Sequence, residues 1–238
     1  EIKHLLHLDT MTVSGKSLGD VMKQSQPAWP QTVVKPCDDP VYPHGGLAVL
    51  RGNLAPDGAI IKQSAAHPDL LVHKSRAVIF DGMADLAERI DNEDEDFRED
   101  DILVLRNIGP KGAPGMPEAG LIPIPKKLAR AGIKDMVRIS DGRMSGTAAG
   151  TIILHVAPEA AIGGPLNLAQ TGDMIALDVP SRTLSLLVDD DELERRRQEK
   201  TTLKQAPSRG YEKLFHEQVT QAPEGADFLF LQGVDTSE

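Results

Sequence analysis

One cysteine, Cys37, stands in the 238 residues. A lone thiol excludes an internal disulfide, and by itself it cannot hold a zinc ion or an iron–sulfur cluster. Aromatic residues are almost as scarce at 3%, so a core must be packed from Ala, Val, Ile and Leu. No apolar run approaches the roughly 20 residues that cross a bilayer, which argues against a membrane-spanning chain. Cations are outnumbered, with 26 Lys and Arg against 36 Asp and Glu and a net charge of −10. No basic stripe forms, so neither nucleic acid nor an anionic membrane surface is the expected partner. A small anionic substrate stays compatible if a local positive centre, such as a metal ion, receives it. The opening "EIKHLLHLDT" has no signal-peptide pattern and no initiator methionine. The chain reads as intracellular and cytoplasmic, and as a fragment of a longer protein or a processed chain.

What is present is a mixed pattern. The first 35 or so residues, with "GKSLGDVMKQSQPAWPQTVVKP", read as a short helix followed by a linker. "GGLAVLRGNL" and "GAIIKQSA" are short strands, with "APDG" as the hairpin turn between them. "RAVIFDG", "DDILVLRNIG", "DMVRIS" and "GTIILHVAP" are further strands, and "GDMIALDVPSRTLSLLVDD" holds two around a "PSRT" turn. "MADLAERIDNED" has Met83, Leu86, Ala87 and Ile90 at helical spacing. "IPKKLARAGIKD" starts near a proline and stops near Gly132, as helices do. "DELERRRQEK" reads as a solvated helix, and the tail carries another with Leu214, Val219 and aromatic anchors. Many short strands with few helical connections predict an α+β chain: a small barrel or sandwich with helices packed outside. A doubly wound sheet would need steadier strand–helix alternation.

Two loops stand out. "NIGPKGAPGMPEAG", residues 107–120, has four glycines and three prolines after a buried strand, with Glu118 as its only acid. It is a rigid crossover with a solvated glutamate, or a loop whose carboxylate ligates a hard cation such as Mg²⁺. It is no phosphate loop, because the Gly-x4-Gly-Lys-Ser/Thr pattern is absent. "RISDGRMSGTAAG", residues 138–150, offers Ser145 and Thr147. Either could cap a helix. Alternatively, Ser145 is a reactive hydroxyl, which needs a metal or backbone N–H groups to stabilise its alkoxide. Arg143 stands where a Gly-x-Ser-x-Gly elbow would need glycine. The acidic run "DNEDEDFREDD", residues 91–101, lacks the glycine and ligand spacing of a calcium loop and reads as solvated. The seven histidines show no ligand spacing, and His155 reads as a packed strand residue.

Taken together, "GGLAVLRGNLAPDGAIIK", "LRNIGPKGAPGMPEAG", "RISDGRMSGTAAGTIILHVAPEAAIGGPL" and "GDMIALDVPSRTLSLLVDDDELERRR" resemble the C-terminal part of the dihydroxy-acid and phosphogluconate dehydratases. The resemblance covers nearly the whole chain. It is nearest to the sugar-acid branch: Asn107–Ile108 stands where branched-chain enzymes carry Tyr–Glu, and "LHVAPEAA" replaces "GHVSPEAA". The resemblance implies a hydro-lyase that turns a 2,3-dihydroxy acid into a 2-keto acid using Mg²⁺ and an iron–sulfur cluster. It implies Ser145 as the base, Glu118 as a Mg²⁺ ligand, and Thr147 and Gly146 alongside the substrate. It also implies a small swivelling β/α barrel over residues 37–200, an interdomain linker and arm over 1–36, and a helical tail over 201–238. The cluster cysteines and the other Mg²⁺ carboxylates belong to the family's N-terminal domain. This chain alone is therefore expected to be inactive and to bind neither group tightly, its partners being a sugar acid, its own N-terminal domain and further copies of itself. The alternatives are a branched-chain dihydroxy-acid dehydratase domain and a non-catalytic ligand-binding or regulatory module.

Overall fold

The computed structural model describes residues 2–25, 30–200 and 206–233. They fall into two compact units, one ending at Gly45 and one beginning at Gly46. In the first, helix α1 (Leu18–Lys23) begins at Ser17, whose side chain accepts a hydrogen bond from the Asp20 N–H at 3.1 Å. That bond satisfies one of the donors a helix start leaves unpaired. Within the Pro-rich stretch after it, residues 26–29 lie outside the described residues.

The second unit is a closed eight-stranded barrel. Its strands are β1 (Ala48–Gly52), β2 (Ala55–Ile61), β3 (Val72–Asp81), β4 (Ile102–Arg106), β5 (Arg138–Ser140), β6 (Ile152–Ala157), β7 (Met174–Asp178) and β8 (Thr183–Leu186). Around the barrel they run β1-β2-β6-β5-β4-β3-β7-β8. The β3-β4-β5-β6 stretch is parallel, and β8 closes on β1 in parallel through Thr183 and Arg51. The other pairs are antiparallel. Helices α2 (Gly82–Arg89), α3 (Lys126–Arg130), α4 (Asp190–Glu199) and α5 (Gly210–Gln218) complete the unit among the described residues. The mixed α and β reading holds, with a barrel rather than a sandwich.

The parallel strands are buried on both faces, which is why they read as unbroken apolar runs. Successive side chains point to opposite sides. Ala77 and Ile79 of β3, with Ile102 and Val104 of β4, join one cluster with residues from all eight strands. Val78, Phe80, Leu103 and Leu105 turn to a second cluster with Leu86 of α2, Ile90 just after it, Phe97, Ile122 and Met136. Of the four apolar positions read onto α2, only Leu86 and Ile90 are buried; Met83 and Ala87 are exposed.

One element differs from the sequence reading, and two solvated segments are in addition anchored through a few residues. The hairpin turn falls at Asn53–Leu54, and "APDG" is the start of β2. The cause is long-range. Asn53 accepts a hydrogen bond from Leu186 N and donates one to Leu186 O, both at 2.8 Å, stitching the turn to β8. A side chain on Gly52 would meet Leu184 O at 2.1 Å, so only glycine lets the chains approach there. The acidic run is not simply solvated: Asp101 is fully buried against Arg76 at 2.6 Å, and Phe97 packs near Phe80. Helix α4 is likewise anchored, because Arg196 binds Asp173 through both terminal nitrogens.

Asp141 follows β5 and is fully buried. Its carboxylate accepts hydrogen bonds from the N–H groups of Asn107, Ile108 and Ala160, each at 3.0 Å. It therefore ties together the chain segments leaving β4, β5 and β6. Burial pushes its pKa up to about 6, against the pull of those three donors and with the Glu159 charge adding to the rise. The folded state thus holds a proton that the unfolded chain has already lost at an ordinary carboxylate pKa. Asp141's contribution to stability should then fall as pH rises from about 4 through about 6. Urea denaturation between pH 4 and pH 7 is expected to show this decline in the parent and a flatter profile in Asp141→Asn. In the barrel interior, Ile139→Ala should cost about 2–5 kcal/mol by the same assay. Val49→Thr on the exposed face of β1 should stay within about 0.5 kcal/mol.

Candidate functional site

Strands β4 and β5 are parallel neighbours, so the loops that follow them leave the same end of the barrel. The first is the Gly/Pro-rich segment with Glu118, and the second carries Ser145. A second buried carboxylate, Glu159, shapes the first loop from below. It accepts hydrogen bonds from Lys111 N and Gly112 N, both at 2.8 Å, and from the Gln221 side chain at 2.6 Å. Asp141 and Glu159 were not singled out in the sequence. The readable signal was an acid directly behind a buried strand, in "RISD" and "VAPE".

Arg143 joins the two loops. Its Nε donates to Met116 O at 2.6 Å and its Nη1 donates to Glu118 Oε1 at 2.7 Å. Its own carbonyl accepts from Gly120 N at 2.7 Å. The approach is too close for any side chain at position 120: a Cβ there would sit 2.3 Å from Leu154 Cδ2 and 2.8 Å from Arg143 O. Glu118 is exposed, and its ion pair with Arg143 is solvated, worth at most about 1 kcal/mol.

Two residues beyond Arg143, Ser145 opens a turn in which Ala148 N donates to Ser145 O at 3.0 Å. No helix follows, so neither Ser145 nor Thr147 acts as a cap. The Ser145 and Thr147 hydroxyls instead bond to each other at 3.1 Å. Ser145 is half-buried, and Gly146 and Thr147 are exposed. Lys62, at the end of β2, donates from Nζ to Gly146 O at 3.0 Å. The structure thus brings Ser145, Gly146, Thr147 and Glu118 onto adjoining surface loops linked through Arg143. Ser145 and Glu118 share no hydrogen bond.

His155 is not a plain strand histidine. Its φ is +54°, its Nδ1 is buried without a partner, and its N–H donates to Gly142 O at 3.0 Å. Burial, and then the nearby Arg143 charge, push its pKa down, so it is neutral at physiological pH. It forms no hydrogen bond with Ser145 among the described residues, and a serine–histidine hydrolase pair has no geometric support. Among the described residues, no group of three or more His, Cys, Asp or Glu side chains is arranged to hold a metal ion. Cys37 is exposed. No described helix is long and apolar enough to cross a membrane.

Comparison with known proteins identifies the family. The family model described as dihydroxy-acid/6-phosphogluconate dehydratase C-terminal matches residues 32–226. The chain is similar to L-arabinonate dehydratase of Rhizobium leguminosarum bv. trifolii, 49% identical over 96% of this chain and 39% of the relative. It is also similar to 6-deoxy-6-sulfo-D-gluconate dehydratase of Pseudomonas putida, 47% identical over 98% of this chain and 40% of the relative. A dihydroxy-acid dehydratase of Acetivibrio thermocellus is 39% identical over 94% of this chain and 40% of that protein. The chain therefore spans about two fifths of the length of these curated relatives. With the family model matched over most of its length, this chain belongs to the dihydroxy-acid/6-phosphogluconate dehydratases, as their C-terminal domain.

Proposed function

We propose that this chain supplies one half of the active site of a sugar-acid dehydratase, which converts a 2,3-dihydroxy acid to a 2-keto-3-deoxy acid. The carrying observation is that Ser145 and Glu118 lie on adjoining, solvent-facing loops coupled through Arg143. An open constellation of this kind needs a second surface to enclose a substrate. The sugar-acid reading is supported by 47–49% identity to the arabinonate and sulfogluconate enzymes, against 39–44% to dihydroxy-acid dehydratases. A branched-chain dihydroxy acid is the competing substrate.

The reaction in this reading uses Mg²⁺ and an iron–sulfur cluster, and the described residues of this chain do not by themselves fit either. Glu118 is a single exposed carboxylate engaged by Arg143, and Cys37 is a single exposed thiol. Both groups belong to a separate N-terminal domain, with Glu118 reaching Mg²⁺ across the boundary. The barrel is the swivelling partner of that domain, in a cytoplasmic homo-oligomer, and this chain is inactive alone.

What this chain contributes is proton transfer. Ser145 Oγ takes the C2 proton, the C2–H electron pair forms the C2=C3 bond, and the 3-hydroxyl departs with a proton as water. The resulting enol becomes the 2-keto acid by returning a proton to C3. A serine alkoxide needs nearby positive charge or N–H donors. Thr147 orients the hydroxyl through its 3.1 Å hydrogen bond, and Gly146 leaves room for the substrate beside the backbone.

The test is 2-keto acid formation from a panel of aldonates and branched dihydroxy acids. It is run on this chain alone and on this chain mixed with the cluster-bearing N-terminal domain. Activity is expected only in the mixture and only on aldonates; activity of this chain alone overturns the divided site. In the full-length enzyme, Ser145→Ala should abolish turnover with the fold intact. A loss below about tenfold, about 1.4 kcal/mol, removes Ser145 as the base.

A further inference from the structure

Resting on that reading of Ser145, we propose that Lys62 is a positioning residue for the serine turn, holding it through the Gly146 carbonyl. The segment after β2 runs beside the serine loop and pins it at three points. Lys62 Nζ donates to Gly146 O at 3.0 Å, Gly150 N donates to Ala65 O at 2.9 Å, and His67 N donates to Thr151 Oγ1 at 3.0 Å. The last two hold the loop where it enters β6. Of these three bonds, that of Lys62 is the one that reaches the Ser145–Ala148 turn itself.

Its anchorage is rigid. Ile61, the preceding residue, is fully buried and pairs with Ile153 of β6. The opposite flank of the turn is held by Arg143, through Met116 and Glu118. The serine turn is therefore gripped by one cation from each side. On one side the chain is restrained by an ion pair, and on the other by a bond to backbone alone.

The bonding of Lys62 differs from that of the ion-paired surface lysines and is shared with Lys127 and Lys200, which also donate to backbone carbonyls. Lys23, Lys35, Lys126 and Lys213 all have a carboxylate within 4.0 Å. Lys62 has none among the described residues, in a chain with a net charge of −10. Its ammonium is spent on a carbonyl one residue from Ser145, so its charge is not cancelled where the turn presents the hydroxyl. A glycine at 146 has no side chain to restrain the backbone, and the turn has no helix to continue it. The carbonyl bond replaces those restraints and fixes the direction of Ser145 Oγ relative to Thr147. Misplacement by an ångström at such a group is costly in rate.

The experiment uses the full-length enzyme with Lys62→Met, Lys62→Gln and Lys62→Arg. Met and Gln should lower kcat at least tenfold with KM changed less than threefold and an unaltered thermal melt, and Arg should recover most of the loss. Trypsin cleavage of the Arg143–Met144 bond, followed by mass spectrometry, should run at least fivefold faster in the Met and Gln variants. The proposal is overturned if kcat stays within twofold of the parent in both variants, or if Arg fails to restore it. It is equally overturned if the cleavage rate is unchanged. Ser145→Ala is assayed in parallel. If that variant keeps its turnover, the serine reading fails, and the cleavage rate still reports whether Lys62 holds the loop.

Discussion

Backbone N–H groups that leave the carboxyl ends of parallel strands have no ladder partner, and buried ones must find an acceptor. Here one carboxylate, Asp141, accepts three of them, from Asn107, Ile108 and Ala160. The segments following β4, β5 and β6 are thereby set relative to one another. Glu159 repeats the device one layer further out, on Lys111 and Gly112. These two buried acids fix the bases of the segments that carry the candidate site. Both acids are buried and act here through backbone N–H groups.

On that platform the two loops meet through Arg143. The guanidinium is bound to one loop and the peptide chain belongs to the other, so Arg143 links the serine turn to Glu118. The barrel interior beneath them is apolar and two-sided in its parallel strands. Arg106 enters it paired with Asp81 and with the carbonyls of Asn167 and Ala169, while its Nε is buried without a partner. A rigid apolar barrel with function confined to loops at its rim is a common division of labour, because loops tolerate change that a packed interior does not.

Much of this was legible in the chain. Every strand was visible as a short apolar run, and Glu118, Ser145 and Thr147 stood out by their setting among glycines and prolines. Other readings were incomplete for one reason: local composition was overridden by partners distant in sequence. "APDG" has turn composition, yet the turn is set by Asn53 bonding to Leu186, 133 residues away. "DNEDEDFREDD" has the composition of a solvated loop, yet Asp101 and Phe97 are drawn inward by Arg76 and Phe80. His155 lies within β6 as read, and its positive φ sits where the β2–β6 register shifts.

The sequence by itself determined the mixed class, the set of strands, the family and the short list of candidate site residues. These follow from periodicity and motif, which are properties of neighbours along the chain. Barrel closure, strand order and the conjunction of the 107–120 and 138–150 loops were decided only by tertiary structure. So were the roles of Lys62, Arg143, Asp141 and Glu159. Each depends on a hydrogen bond or ion pair between residues 25 or more positions apart, and no local pattern encodes which distant partner a polar group will meet.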